Sequence, residues 1–186
     1  MPLVCASGWC RAARFAAYNT KSVVSRIPLF DTEGLGMEIP TMGKVQVPAK
    51  IENLGDLLKA HEGLLPADQV RSVTVPDALV DTGAVMLSLP KRLIAQLGLI
   101  FSRTRRVRSV GGVVETAIYA AVRLTVQGRD VTADVAELPD DCPVIIGQIP
   151  LEGLDFVVDP IGQRLLGNPE HGGEHMIDMF RINTPW

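Results

Sequence analysis

Apolar and polar residues alternate over several short runs of the chain, and glycine and proline separate these runs. Residues 42–52, 69–76 and 130–138 each show the alternation of a half-buried β-strand. The 17 glycines and 13 prolines favour turns over long helices. We therefore expect a mostly β protein with one or two short helices, one of them over 90–98, where a proline begins the segment and a glycine ends it.

Composition narrows the class of protein further. The chain has 186 residues, of which 47% are hydrophobic and 21% charged, as is typical of a globular domain. No run approaches the roughly 20 apolar residues that a membrane-spanning helix needs. The net charge of -3 gives no general attraction to nucleic acid or to an anionic membrane. We therefore expect neither of these partners.

Three regions differ in their patterns. Residues 1–36 hold four basic residues before their first acid, Asp31, and contain no apolar core of a secretory signal. We interpret them as a leader that is disordered or the product of a start codon assigned too early, with a transit peptide as the alternative. Residues 37–170 form the predicted domain, and residues 171–186 are expected to be a polar C-terminal tail.

The cysteines give information about the compartment. Cys5 and Cys10 lie in the leader, Cys142 lies in the domain, and none belongs to a C-x-x-C pair. An odd number with this spacing favours neither a disulfide framework nor a cysteine zinc site. We therefore expect a reducing compartment and a cytoplasmic location.

An acid follows an apolar run in the segment Leu-Val-Asp-Thr-Gly-Ala, residues 79–84. A carboxylate such as that of Asp81 is costly to bury unless it is paired or hydrogen-bonded. Thr82 supplies a hydroxyl, and Gly83 allows the backbone to come close, so both can hydrogen-bond a carboxylate held in a tight loop. Taken alone, the tripeptide is equally typical of an ordinary turn at the end of a strand.

Further segments extend this pattern along the chain. Residues 105–127 are expected to form two strands around the turn Gly111-Gly112, and the apolar run 144–146 ends in Gly147. With the 79–84 segment and the helix at 90–98, they resemble the retropepsin-like (clan AA) aspartic proteases, especially their small bacterial and archaeal single-domain members. The resemblance covers about residues 42–168 and implies a closed β-barrel or sandwich fold.

The resemblance also implies an activity, hydrolysis of peptide bonds by an aspartic endopeptidase. The chain holds one Asp-Thr-Gly and no Asp-Ser-Gly, so a second copy must supply the second acid, and a homodimer would do so. Two carboxylates of Asp81 about 3 Å apart would share one proton, as is established for aspartic protease dyads. One would act as general base on a water, and the other would donate to the scissile carbonyl. No cofactor and no metal are implied.

Residue roles follow from the resemblance position by position. Asp81, Thr82 and Gly83 are the predicted catalytic group, with Thr82 bracing the two loops across the interface. The predicted substrate-binding residues are the four small residues Ala84, Gly111, Gly112 and Gly147. The two neighbouring glycines would form the tip of a flap, or simply a hairpin turn. Gly147 would leave room beneath the catalytic loop.

The chain departs from the retroviral pattern at one ion pair. Retroviral members place an acid shortly after the Asp-Thr-Gly-Ala and an arginine after the Ile-Ile-Gly, whereas this chain has Val85 and Gln148.

The alternative to a protease is a non-catalytic dimerisation or peptide-binding module with the same fold.

Two further patterns suggest other ligands. His171 and His175 have a spacing that could ligate a metal on a helix, but they lie in a glycine-rich segment. A basic run, comprising Arg103, Arg105, Arg106 and Arg108, fits a solvated face better than a nucleic-acid site.

Overall fold

The computed structural model describes residues 44–109 and 112–177. The strands in these residues are β1 (Val45–Asn53), β2 (Ser72–Val80), β3 (Leu87–Pro90), β4 (Phe101–Ser109), β5 (Gly112–Val126), β6 (Arg129–Leu138), β7 (Ile145–Ile146), β8 (Phe156–Asp159) and β9 (Arg164–Gly167). The α-helices are α1 (Leu54–His61), α2 (Lys91–Leu97) and α3 (Gln148–Gly153), and short 3₁₀ turns cover Ala67–Gln69 and Pro169–His171. The protein is therefore mostly β, as the sequence predicts.

Seven of the strands form one sheet, in the order β1-β2-β7-β3-β6-β5-β4. Strand β1 also pairs with β5, so the pairings return from β5 to β1, and β4 lies outside this ring. The pairs β2–β7 and β3–β6 are parallel, and the others are antiparallel. The core is built from aliphatic side chains of these strands, among them Ile51, Leu87, Leu124, Val135 and Ile146.

Strand β1 shows how the alternating pattern becomes structure. Val45, Val47, Ala49 and Ile51 are buried, and the residues between them are exposed. The register with β2 shifts between Val47 and Ala49, at Pro48, which has no N–H to donate to the ladder. The sequence predicts an edge or a bulge at this proline, and the structure has the bulge.

The helices differ in part from the prediction. Helix α2 follows Pro90 and ends at Gly98, whose φ of 57° is the left-handed conformation that glycine adopts without strain. Three α-helices are present in the described residues rather than one or two. Residues 53–66 are predicted as a loop or a short helix, and helix α1 forms there because the Asn53 side chain accepts a hydrogen bond from Asp56 N at 3.1 Å.

The C-terminal part of the described chain packs against the domain. Strands β8 and β9 form a separate hairpin, and its turn is closed by Asp159 Oδ1, which accepts from Gly162 N at 2.8 Å. Beyond it, His171 and Met176 N both bond Asp155. Residues as far as 176 therefore contact the domain. The leader at 1–36 lies outside the described residues, and the domain bounds stay predictions.

Cys142 is buried and disulfide-bonded. The sequence argues against a disulfide framework, and a bond at this one residue does not make such a framework. Among the described residues, no helix has the length and apolar character that crossing a bilayer requires.

Candidate active site

Asp81 follows the last residue of β2, where this strand runs parallel to β7. Leu79 and Val80 pair with Ile145 and Ile146, and Leu79 N donates to Val144 O at 2.8 Å. One more bond of this kind, from Asp81 N to Ile146 O at 3.0 Å, fixes the backbone of the acid. Two paired strands thus hold Asp81 at their common end.

The loop after Asp81 closes on the acid itself. Gly83 N donates to Asp81 Oδ1 at 2.8 Å, and Ala84 N donates to Asp81 O at 3.1 Å. Ala84 is buried, Asp81 is half-buried, and Thr82 and Gly83 are exposed. Oδ2 accepts no hydrogen bond from any residue that the structure describes. The carboxylate is therefore oriented through one oxygen and open at the other.

Gly147 lies directly against the next part of this loop. A Cβ at this position would lie 2.6 Å from Met86 O and 2.7 Å from Met86 N and Val85 C. Helix α3 then begins on the loop backbone, because Gln148 N donates to Ala84 O at 2.8 Å and Ile149 N to Val85 O at 3.1 Å. The close approach expected at Gly147 is present, and its part in substrate binding stays a prediction.

A cleft of about 590 Å³ opens beside Asp81. It lies between the end of β2, helix α3 and strand β8, and its lining includes Val80, Thr82, Gln148, Glu152 and Val157. A carboxylate with one open oxygen at such a cleft can accept a proton from a bound water. The sequence does not identify Glu152 or β8 as parts of the site, because neither carries a catalytic motif.

The predicted site residues separate into two groups. One group comes together in the loop after β2 and at the residue before α3, and its members are Asp81, Thr82, Gly83, Ala84 and Gly147. Gly112 lies elsewhere, at the start of β5, where it pairs with Ser109 and has a φ of 117°, as a hairpin glycine can. Gly111 lies outside the described residues.

The positions of the missing retroviral ion pair have other contacts. The Val85 side chain is 61% exposed. The Gln148 side chain donates from Nε2 to Glu152 Oε1 at 2.8 Å, within its own helix. Gln148 is thus held at the cleft by a neighbour one turn along α3.

A second polar cluster surrounds Asp155, which is buried although it is an acid. Its carboxylate bonds His171 Nδ1 at 2.8 Å and accepts from Asn168 Nδ2 at 2.9 Å and Met176 N at 3.1 Å. The hydrogen bond with His171, followed by those from Met176 N and Asn168, holds the pKa of Asp155 well below its usual range. This cluster fixes the C-terminal segment to the domain.

The two histidines of the possible metal pair contact different groups. His171 bonds Asp155, whereas His175 Nε2 lies 3.2 Å from Gly153 O. Within the described part of the chain, no three metal-ligating side chains form a group that could hold an ion. The spacing of the histidines is explained by these separate contacts.

Comparison with known families gives a match, and it covers the region that holds this site. Residues 69–159 match the model of an aspartyl protease family of the pepsin/retropepsin-like clan. This part of the chain is therefore similar to that family, and the match extends from the residues before β2 through β8, so it includes Asp81 and Gly147. No match was found among curated protein sequences. At the family level, the match supports a hydrolase that cleaves peptide bonds.

Proposed function

We propose that the protein is an aspartic endopeptidase in which a water is activated between two Asp81 carboxylates, one from each subunit of a homodimer. The observation that carries this proposal is the state of the carboxylate. Gly83 N orients Oδ1 of Asp81 at 2.8 Å, and Oδ2 stays open beside a cleft of about 590 Å³. A general base must have an oxygen within reach of the proton that it takes.

A second subunit is required because the chain supplies only one Asp-Thr-Gly. When two such carboxylates lie about 3 Å apart, they cannot both ionise readily and share one proton. The ionised Asp81 takes a proton from the water, and the protonated Asp81 donates to the scissile carbonyl. Thr82, exposed on the same loop, would then bond across the two-fold axis.

Exposed aliphatic side chains support this dimer; one of them, Val157, lines the cleft, and the others lie on segments next to it. The exposed fraction is 61% for Val85, 57% for Ile149, 43% for Val157 and 41% for Leu166. Val85 and Ile149 belong to segments joined by a backbone bond, and Val157 pairs with Leu166 across the β8–β9 hairpin. Apolar patches of this kind mark interaction surfaces. A second copy of the chain would cover them and bring its own Asp81 to the cleft.

The substrate in this proposal is an extended peptide, held by backbone hydrogen bonds between the cleft and the β4–β5 hairpin. Gly111 and Gly112 would form the moving tip of that hairpin, and Ala84 and Gly147 would shape the floor. A closed barrel is the form of the fold that we propose, on the strength of the β1–β5 pairing. Because Ala84 carries no hydroxyl, we expect a less acidic pH optimum than for an enzyme with serine at that position.

The test is cleavage of a peptide library by the full chain and by Asp81→Asn, compared from about pH 4 to pH 7 by mass spectrometry. We expect cleavage by the wild type and none by the variant. Equal cleavage by both proteins would show a contaminating protease and refute the mechanism.

The alternative is a module of the same fold that dimerises or binds peptides without cutting them. The exposed aliphatic patch at the cleft fits this function as well. In that case, Asp81→Asn would leave peptide binding unchanged, and it would stabilise the dimer because the repulsion between two acids is removed. A confirmed dimer that binds peptides and cleaves none would favour this module.

A further inference from the structure

Strand β4 is the open edge of the main sheet. It is the last strand in the sheet order, and it pairs only with β5 among the residues that the structure describes. Its nine residues contain no proline, and residues 101–106 and 108 are all exposed. Such an edge presents unpaired backbone N–H and C=O groups to which another extended segment can bind.

The charge of this edge has one sign. Strand β4 contains Arg103, Arg105, Arg106 and Arg108 and no acidic residue. The first two lie opposite Ile118 and Thr116 on one face of the sheet, and the last two lie opposite Glu115 and Val113 on the other. Both faces of the edge are therefore basic.

Neighbouring acids offset only part of this charge. Arg103 Nη2 lies 2.8 Å from Asp134 Oδ2, and Arg106 is placed opposite Glu115. Arg105 and Arg108 make no ion pair or side-chain hydrogen bond with a described residue. Positive charge remains on each face of the strand.

A charged edge excludes some partners and attracts others. Like charges repel the same strand of a second copy, and guanidinium groups do not suit an apolar strand. A guanidinium binds a carboxylate through two parallel hydrogen bonds, which gives both attraction and geometry. The edge thus favours an extended segment that carries carboxylates.

We propose that β4 binds an acidic, extended segment of another polypeptide by strand addition. The arginines follow the pattern Arg-x-Arg-Arg-x-Arg, which predicts acid-x-acid-acid-x-acid in the bound segment, with acids on the same face about 7 Å apart. This pattern is the same in both directions, so it serves a parallel or an antiparallel strand. The binding does not depend on Asp81.

The experiment uses the full chain with Asp81→Asn, so that the probe is not cleaved. The probe is a fluorescein-labelled ten-residue peptide with glutamate in the predicted pattern and threonine or valine elsewhere, titrated by fluorescence anisotropy. We expect saturable binding that weakens with added salt. Adding Arg105→Glu and Arg108→Glu should weaken it at least about tenfold, whereas Lys44→Glu with Lys91→Glu, at two other exposed positions, should change it little.

Two changes to the probe keep the test independent of the protein's folding. A peptide with lysine in place of glutamate should not bind, because the charges then repel. N-methylation at alternate backbone positions should also abolish binding, because it removes the donors that extend the sheet. Three results would overturn the proposal. They are equal binding of the methylated and unmethylated peptides, an equal loss of affinity in the arginine and lysine variants, and tighter binding of a single-stranded oligonucleotide than of the acidic peptide.

Discussion

Gly147 is the residue at which the site leaves least space for a side chain. The atoms that a Cβ would meet belong to the backbone of Val85 and Met86, so no side-chain rotation can relieve the contact. The same loop segment accepts the backbone bonds that begin α3. Packing at this glycine therefore determines where the Asp81 loop lies.

We predict that Gly147→Ala destabilises the protein towards the upper end of about 1–3 kcal/mol, the usual range for overpacking. The reason is the 2.6 Å separation between the new Cβ and Met86 O. Urea denaturation gives the free energy of unfolding. Gly63→Ala is the control, because the new Cβ meets nothing within 4 Å. Its only cost is the strain of an alanine at a φ of 73°, about 1–2 kcal/mol of the free energy of unfolding. Unchanged stability of Gly147→Ala would contradict the packing argument.

Asp155 is the residue that should make stability depend on acidity. Hydrogen bonds from His171, Met176 N and Asn168 hold the pKa of this carboxyl below its ordinary value of 3.8, and Arg129 Nη1 lies 3.9 Å away. A carboxyl group whose pKa is lower in the folded than in the unfolded protein stabilises the fold fully when the pH is above the unfolded-state pKa. This stabilisation is lost as the pH falls towards the folded-state pKa.

We therefore predict that wild type exceeds Asp155→Asn in stability at neutral pH and that the difference shrinks as the pH falls below about 4. Denaturant unfolding at a series of pH values measures the difference. Asp68→Asn, at an exposed position, should follow the wild type. A difference that stays constant across the series would show that the charge of Asp155 does not contribute.

At the level of elements, Arg71 joins two helices to one strand. It lies just before β2, donates from Nε and Nη2 to Asp56 of α1 at 2.6 and 2.8 Å, and donates from Nη1 to Gly98 O at the end of α2 at 3.3 Å. The side-chain hydrogen bond from Arg71 holds the pKa of Asp56 below its usual range. Asp56 is buried, so its carboxylate depends on this partner.

We predict that Arg71→Ala destabilises the protein by about 1–3 kcal/mol, the cost of leaving a buried acceptor without its donor. The loss should be smaller at acidic pH, where protonation removes the buried charge. Arg92→Ala, an exposed arginine of α2, should change stability by less than about 0.5 kcal/mol. Equal effects of the two substitutions in urea denaturation would show that the Asp56 contact contributes nothing.

At the level of the whole molecule, the active site needs two chains in the mechanism that we propose. When wild type is mixed with an equal amount of Asp81→Asn and subunits exchange freely, only a quarter of the dimers carry two acids. The activity of the mixture should then be about half of the activity that the same amount of wild-type protein shows without the variant. An active site within one chain would keep full activity. The measurement is peptide cleavage after equilibration. In the control mixture, wild type is combined with Asp68→Asn instead of Asp81→Asn.

The residues that make their own local structure were predictable. Gly98 ends α2, as the sequence predicts. The residues Asp-Pro-Ile-Gly at 159–162 are typical of a turn, and they close the β8–β9 hairpin. Both features depend on near neighbours in the chain. The run 143–147 is typical of one buried strand, but only Ile145 and Ile146 form a strand, because the Gly147 backbone packs against the loop. The carboxylate contacts of Asp56 and Asp155 join residues at least 13 positions apart in sequence, and no local pattern marks them.

By itself, the sequence determined the β class, the order of the segments and the acid at the end of β2, since alternation and turn chemistry act over a few residues. Only the tertiary structure decided that β7 lies beside β2, that Gly147 supports the Asp81 loop and that β4 stays an open edge with arginines on both faces. These features arise from packing between segments far apart in the chain, where burial and backbone pairing are satisfied only in the complete fold.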